Sequence, residues 1–224
     1  MFPTSAVKFP PTKQVENNHA DVAFNPLYNR QVAVVDQSGR WTIWDNEPRH
    51  SKKAQPRLVP GKSGHILDDY NPDPLLRIPE HYLIDGWYRI FWVCNLTTIL
   101  VCSRTHVAIF DIRSKPVRLD STEFLVAKGI EVILDIKRSA ASLDHVFVLT
   151  SLRIYWIQVI PPGKKADGSE VSGTVKMQLS YRHFRNENDD TMRLTLLQDD
   201  FSECFHRDWT RQIETVVVAH ADVS

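Results

Sequence analysis

Few residues of this 224-residue chain stand at spacings that support chemistry. Cys204-Phe205-His206 offers two metal-ligand side chains one residue apart, but no second pair follows at finger-like spacing. The nine histidines are scattered, and His19, His106 and His145 flank strand-like runs, which suits turn or edge positions better than ligation. Glu131 and Asp135 lie an even number of residues apart and so share one face of a strand. Paired carboxylates can hydrolyse glycosides, but only at a fixed separation that spacing alone does not supply. No Gly-x-Ser-x-Gly elbow, phosphate loop or dinucleotide fingerprint occurs. The remaining candidates are binding groups. Arg49, Lys52, Lys53 and Arg57 form a basic stretch that could meet phosphate or a partner, against the plainer reading of a solvated loop. Arg182, His183 and Arg185 invite the same pair of readings. Trp41, Trp44, Trp87, Trp92, Phe110 and Trp156 could stack nucleic-acid bases. They stand in strands at equivalent repeat positions, however, as packing between sheets requires. The expectation is no catalytic residue, no cofactor, no metal and no small-molecule substrate. An enzyme remains a rival.

The elements that would position these side chains are short strands. Asp21 to Asp45, DVAFNPLYNRQVAVVDQSGRWTIWD, reads as three of them. Val22-Ala23-Phe24 ends at the turn pair Asn25-Pro26, and Gln31 to Val35 is a β-branched run too short for a helix. Asp36-Gln37-Ser38-Gly39 is a tight turn, and Arg40 to Trp44 alternates. The plan returns from Gly86, GWYRIFWVCNLTTILVCSRTHVAIFDI, with Val22 against Ile90 and Phe24 against Trp92. At a shift of 66, Val35 meets Val101, Trp44 meets Phe110 and Asp45 meets Asp111. A third copy from Gly129 fits at a further shift of 47, pairing Cys102 with Leu149, Phe110 with Ile157 and Asp111 with Gln158. A fourth begins near Arg193 to Leu197 and reaches a strand at Thr215 to Val218.

Repeats of about 40–45 residues built from four strands are the mark of propeller blades. The expected fold is all-β, an incomplete β-propeller of about three and a half WD-like blades. A β-sandwich with regular hairpins is the alternative, but it does not require hairpins alike at a fixed shift. The fourth strand of each blade is the least distinct, with Val117 to Leu119 and Met177 to Arg182 as candidates. Residues 1–18 are expected as an extended or disordered arm, followed by a blade at 19–45, an insertion at 46–85, blades at 86–120 and 129–185, and a partial blade at 191–224. Ser121 to Lys128 reads as a linker or helical turn, and Pro161 to Ser169 as an excursion. Phe201 to Arg211 suits a short surface helix.

Composition narrows the class. Apolar and charged residues make up 42% and 24%, as in an ordinary globular domain. Twenty-seven basic residues balance twenty-seven acidic ones, so nucleic acid would have to be met through a local patch. The first twenty residues carry three prolines and no apolar signal-peptide run, and nothing approaches the roughly 20 apolar residues of a membrane span. Cys94, Cys102 and Cys204 are an odd, sparse set, in keeping with a reducing compartment.

ADVAFNPLYNRQVAVVDQSGRWTIWD resembles the opening blade of the propeller-bearing subunit of the fungal RNA polymerase I core factor, the counterpart of the animal TATA-binding-protein-associated factor C of that polymerase. The likeness runs on through RIFWVCNLTTILVCSRTHVAIFDIRSKP, ILDIKRS, LDHVFVLTSLRIYWIQV and LSYRHFRNENDDTMRLTLLQDD. The resemblance implies a nuclear, mostly nucleolar, non-enzymatic scaffold. Its partners would be the other core factor subunits, TATA-binding protein, and RNA polymerase I with its initiation factor; promoter DNA would be met through the complex. It also implies an N-terminal piece of a longer subunit. Phe24, Trp41, Trp44, Asp45, Trp92, Phe110, Asp111 and Ile157 are the positions expected to pack blades. Ordinary WD-repeat polar chemistry is missing: Ser38 stands at the turn position usually held by aspartate, and Val15 at the histidine position. Apolar stacking is therefore expected to hold the blades.

Overall fold

The computed structural model describes residues 18–47, 57–68, 85–119, 131–164, 170–171, 173–186, 188–199 and 213–220. Within them every regular element is a strand. β1 (His19–Phe24), β2 (Gln31–Asp36), β3 (Arg40–Glu47) and β4 (Arg57–His65) form one antiparallel sheet in chain order. β5 (Tyr88–Trp92), β6 (Thr98–Ser103), β7 (Val107–Asp111) and β8 (Val117–Leu119) repeat it. The third sheet takes β9 (Ile133–Arg138), β10 (His145–Thr150) and β11 (Arg153–Ile160), then a two-stranded ribbon of β12 (Gly163–Lys164) and β13 (Glu170–Val171), and closes with β14 (Thr174–Arg182) as its outer strand. β15 (Met192–Asp199) pairs with β16 (Ile213–His220) as the start of a fourth.

The second and third sheets are sandwiched and apolar on both faces, so β6, β7 and β10 read as nearly continuous apolar runs; β2 of the first sheet reads the same way. Ala33, Val35, Trp41, Ile43 and Ile66 of the first sheet pack on Ile90, Trp92, Ile99, Val101 and Phe110 of the second. The second sheet's other face, with Leu100, Cys102, Val107, Ile109 and Leu119, meets Ile136, Val146, Val148, Tyr155 and Ile157 of the third. Val132, Leu134, Phe147 and Leu149 then receive Met192 and Leu194 of β15. Stacked four-stranded sheets with their first strands side by side are propeller blades, here in an incomplete set.

Two sequence expectations are corrected. The stretch 46–85 is not one insertion: its residues 57–65 are β4, the fourth strand of the first blade, paired with β3 from Glu47↔Arg57 to Arg40↔His65. Pro60, Gly61 and Gly64 hide this strand, because proline and glycine normally argue against one. Here Pro60 lies on an edge, at a bulge between Thr42 and Trp44 where a missing N–H is harmless. The blade 1 to blade 2 alignment is also one residue out on the second strand. Val34↔Thr42 and Val101↔Ala108 are the matching pairs, so Val101 is the counterpart of Val34, not of Val35. The first hairpin turn is one residue longer, and Gly39 absorbs the addition at φ +84°. Asp36 Oδ1 ties this turn by accepting the Ser38 and Arg40 N–H groups and the Ser38 hydroxyl. The shift of 47 between blades 2 and 3 matches the observed pairs Cys102↔Val107 and Leu149↔Ile154. The expected 1–18 arm (beyond Asn18), the 121–128 linker, the Phe201 to Arg211 helix and the Cys204/His206 pair lie outside the described residues.

Candidate functional site

The blade joints carry most of the residues singled out from sequence. Trp41, Trp92 and Phe110 are fully buried in the first joint, where the Trp41 and Phe110 rings lie 5.2 Å apart, tilted by 45°. Ile157 is buried on the third blade's face toward the second. Trp44 lies on the opposite face of the first blade, with Val32, Val34 and Leu58. Phe24 shares that outward face but is 71% exposed, so it does not pack a joint. Trp92, its counterpart, is buried because a preceding blade covers it; among the described residues no sheet precedes the first blade. Asp111 is buried and accepts the backbone N–H of Arg113 (3.0 Å) and its guanidinium (2.8 Å), a local turn clamp. Asp45 is half-buried on β3, opposite Gln31 and Val59.

A polar frame reinforces these joints, and the sequence pattern did not disclose it. Asp21 Oδ2 accepts the Ile90 N–H at 3.0 Å, from the first strand of blade 1 to the first strand of blade 2. Asp135 Oδ2 accepts the Leu194 N–H at 3.0 Å, from blade 3 to β15. The two aspartates stand at the same repeat position, opposite Val35 and Leu149. That recurrence was a legible signal once the register is right. In blade 2 the position is Arg89, and the next joint is bridged instead by Arg104, which donates to the carbonyls of Ile133 and Leu134. Arg138 donates to the Trp92 carbonyl (2.9 Å), Trp92 Nε1 to Ala23 (3.1 Å), Arg118 to Ile66 (3.1 Å), and Lys62 Nζ to Ile112. These links satisfy backbone groups of the blades' first strands and of the residues just after β4 and β7.

The carboxylate pair has no free chemistry. Glu131 accepts from Thr150 Oγ1 (2.6 Å) and Tyr155 Oη (3.0 Å), while Asp135 is spent on Ile136 and Leu194. Burial raises the Tyr155 hydroxyl's pKa, which keeps it a donor to Glu131. A cleft of about 850 Å³ beside β1, β3 and β4 holds His19, Asp36, His65 and Asp68, but His65 Nε2 is 2.8 Å from the Ser38 carbonyl and Asp68 accepts the His65 N–H. Among the described residues no three His, Cys, Asp or Glu side chains are grouped to hold a metal. His106, in the turn between β6 and β7, has its pKa pushed down to about 4 by burial and by Arg118. Burial pushes the Cys94 thiol up to about 12 and raises Cys102 as well, so neither is a ready nucleophile.

Of the basic candidates, Arg57 opens β4, exposed and opposite Glu47. Arg49, Lys52 and Lys53 lie outside the described residues. Arg182 ends β14, exposed, with Phe184 beyond it 77% exposed at φ +56°. Among the described residues the arrangement is a stack of sheets with apolar side chains packed in the joints and with β4, β8 and β14 as the outer strands.

The model of a family described as "Rrn6, beta-propeller" matches residues 5–210. The RNA polymerase I-specific transcription initiation factor RRN6 of Saccharomyces cerevisiae is 28% identical over 183 residues, covering 79% of this chain and 17% of that protein. The chain thus spans less than a fifth of the curated relative's length. A chain in the crystal structure of S. cerevisiae core factor aligns with a TM-score of 0.40 at 14% identity, covering 92% of this chain and 37% of that one.

Proposed function

This chain belongs to the Rrn6 β-propeller family, and from that premise we propose that it is the propeller portion of an RNA polymerase I initiation factor subunit, acting as a non-catalytic scaffold. The observation that carries this reading is the family match across 5–210, spanning all three four-stranded blades. The chemistry agrees with it: buried carboxylates are tied to backbone N–H groups or side-chain hydroxyls, thiols are held protonated, and aromatic rings fill blade joints. Work is done by presenting fixed edges and loops, with no bond made or broken. The partners in this reading are the other core factor subunits, TATA-binding protein, and RNA polymerase I with its initiation factor, in the nucleus and there in the nucleolus. Interfaces of this kind bury on the order of 1,200–2,000 Å² or more.

Affinity purification of the tagged chain from nuclear extract tests it. Recovery of TATA-binding protein and polymerase I subunits above a charge-matched control propeller is expected; their absence, with other partners enriched, makes the chain an adaptor of another complex. Promoter DNA is a secondary contact, through Arg49, Lys52, Lys53 and Arg57. Alanine at all four should lower the slope of log binding constant against log salt, by up to about 0.9 for each phosphate that is no longer neutralised. An unchanged slope leaves these residues solvated.

A further inference from the structure

We propose that β14, the outer edge of the third blade, is a strand-addition site for an extended acidic segment of a partner protein. Among the described residues β14 is hydrogen-bonded on one side only, to β11, and every residue from Lys176 to Arg182 is exposed. Its free edge is a row of N–H and C=O groups to which another strand can pair. The outer strands of the other two four-stranded sheets are poorer templates: β8 is 3 residues long, and β4 is broken by Pro60 and Gly61. β14 runs for 9 residues without proline or glycine; its one bulge is at Gln178, and its pairing is regular from Leu179 to Arg182.

Two further observations say what sort of strand fits. Met177, Leu179 and Tyr181 are 51%, 54% and 56% exposed, so apolar side chains of an added strand would have neighbours. At the end of β14, Phe184 takes a left-handed conformation that bulky residues rarely adopt, while presenting its ring to solvent. The turn is fixed by His183, whose Nε2 lies 3.1 Å from the Thr150 carbonyl and whose Nδ1 accepts the Arg185 N–H at 3.1 Å. Tyr181 meets Phe184 edge-on at 6.4 Å, and the Arg182 guanidinium lies 5.8 Å from the Phe184 ring. A strained, exposed aromatic at a strand end is an anchor for a passing chain.

Charge selects the occupant. From Thr174 to Arg185 the chain carries Lys176, Arg182, His183 and Arg185 and no carboxylate. Two copies of β14 pairing edge to edge would bring together two basic segments with no acid between them, like against like. A strand with acidic residues near Lys176 and Arg182 and apolar residues among them would meet bases with acids and bring apolar side chains beside Leu179 and Tyr181.

The test uses the full chain and three labelled decapeptides, alternating Glu/Val, Gln/Val and Lys/Val, followed by fluorescence anisotropy and by hydrogen exchange. The Glu/Val peptide should bind at least about tenfold more tightly than Lys/Val. It should slow exchange of the Thr174–Arg182 amides, and lose binding when alternate amides are N-methylated. Lys176→Glu with Arg182→Glu alters only exposed side chains, should leave the melting midpoint unchanged, and should reverse the preference to Lys/Val. Phe184→Ala should weaken the Glu/Val peptide several-fold. No binding of the Glu/Val peptide, equal binding of all three, or protection confined to other strands overturns the proposal. A chain that self-associates with protection of these same amides overturns the choice of occupant. None of these readouts depends on polymerase I, so this idea and the transcription reading fail separately.

Discussion

Removing the ring of Phe110 is the sharpest test of what holds the blades together. Phe110 is 1% exposed in the joint between the first two blades, against Trp41. Phe110→Ala withdraws roughly 150 Å² of ring surface from burial, which at about 25 cal/mol/Å² is close to 4 kcal/mol. Known phenylalanine-to-alanine losses of about 3–5 kcal/mol agree, the spread reflecting how far the cavity collapses. In a protein of this size each kcal/mol lowers the melting midpoint by about 2–4 °C, so a fall of about 8–16 °C is expected. Phe24→Ala is the matched control, since Phe24 is 71% exposed, and should stay within about 0.5 kcal/mol of the parent. Urea denaturation followed by tryptophan fluorescence reads both, with Trp41 and Trp92 reporting from the same joint. A Phe110 loss below about 1 kcal/mol, or equal losses at the two positions, would refute joint packing as the source of stability.

Gly64→Ala would place a Cβ 2.6 Å from Trp41 Cζ2 and 2.9 Å from Cε2, so denaturant titration should show a loss of about 1–3 kcal/mol, whereas Gly163→Ala meets nothing within 4 Å and should be nearly silent. Asp135→Ala strands the buried Leu194 N–H and should cost about 1–3 kcal/mol, with faster amide exchange in β15 than elsewhere. His106 has a folded pKa near 4, below the 6.5 of the free side chain, so the folded state binds fewer protons than the unfolded one between these values. Stability should therefore fall as pH drops from 6.5 towards 4, by up to about 3 kcal/mol, and His106→Gln should flatten that limb. Cys94, held protonated up to about 12 against 9.0 when free, and Cys102 should resist iodoacetamide in the folded chain at pH 8 and react in urea. Their contribution is full below pH 9 and should decline as alkali ionises the unfolded thiols.

Much of the architecture was legible before any coordinates. β-branched runs bounded by turn residues marked the inner three strands of each blade, and Val117 to Leu119 and Met177 to Arg182 marked two of the outer ones. Period and propensity are local properties, so the chain carries them on its face. β4 was hidden for an equally local reason: Pro60, Gly61 and Gly64 are strand breakers until an edge and a bulge make room for them. The one-residue slip between Val35 and Val101 arose in the turn at Gly39, where length cannot be counted without knowing which residues pair.

Repetition by itself determined that similar sheets recur. Only the tertiary structure decided which face of each sheet meets which neighbour, and so why Phe24 is bare while its counterpart Trp92 is enclosed. It alone turned Asp21 and Asp135 from surface-type carboxylates into clamps between blades, because a hydrogen-bond acceptor is defined by the N–H that reaches it. Side-chain pattern is written along the chain, whereas contact depends on residues far apart in it, and stacking is a contact.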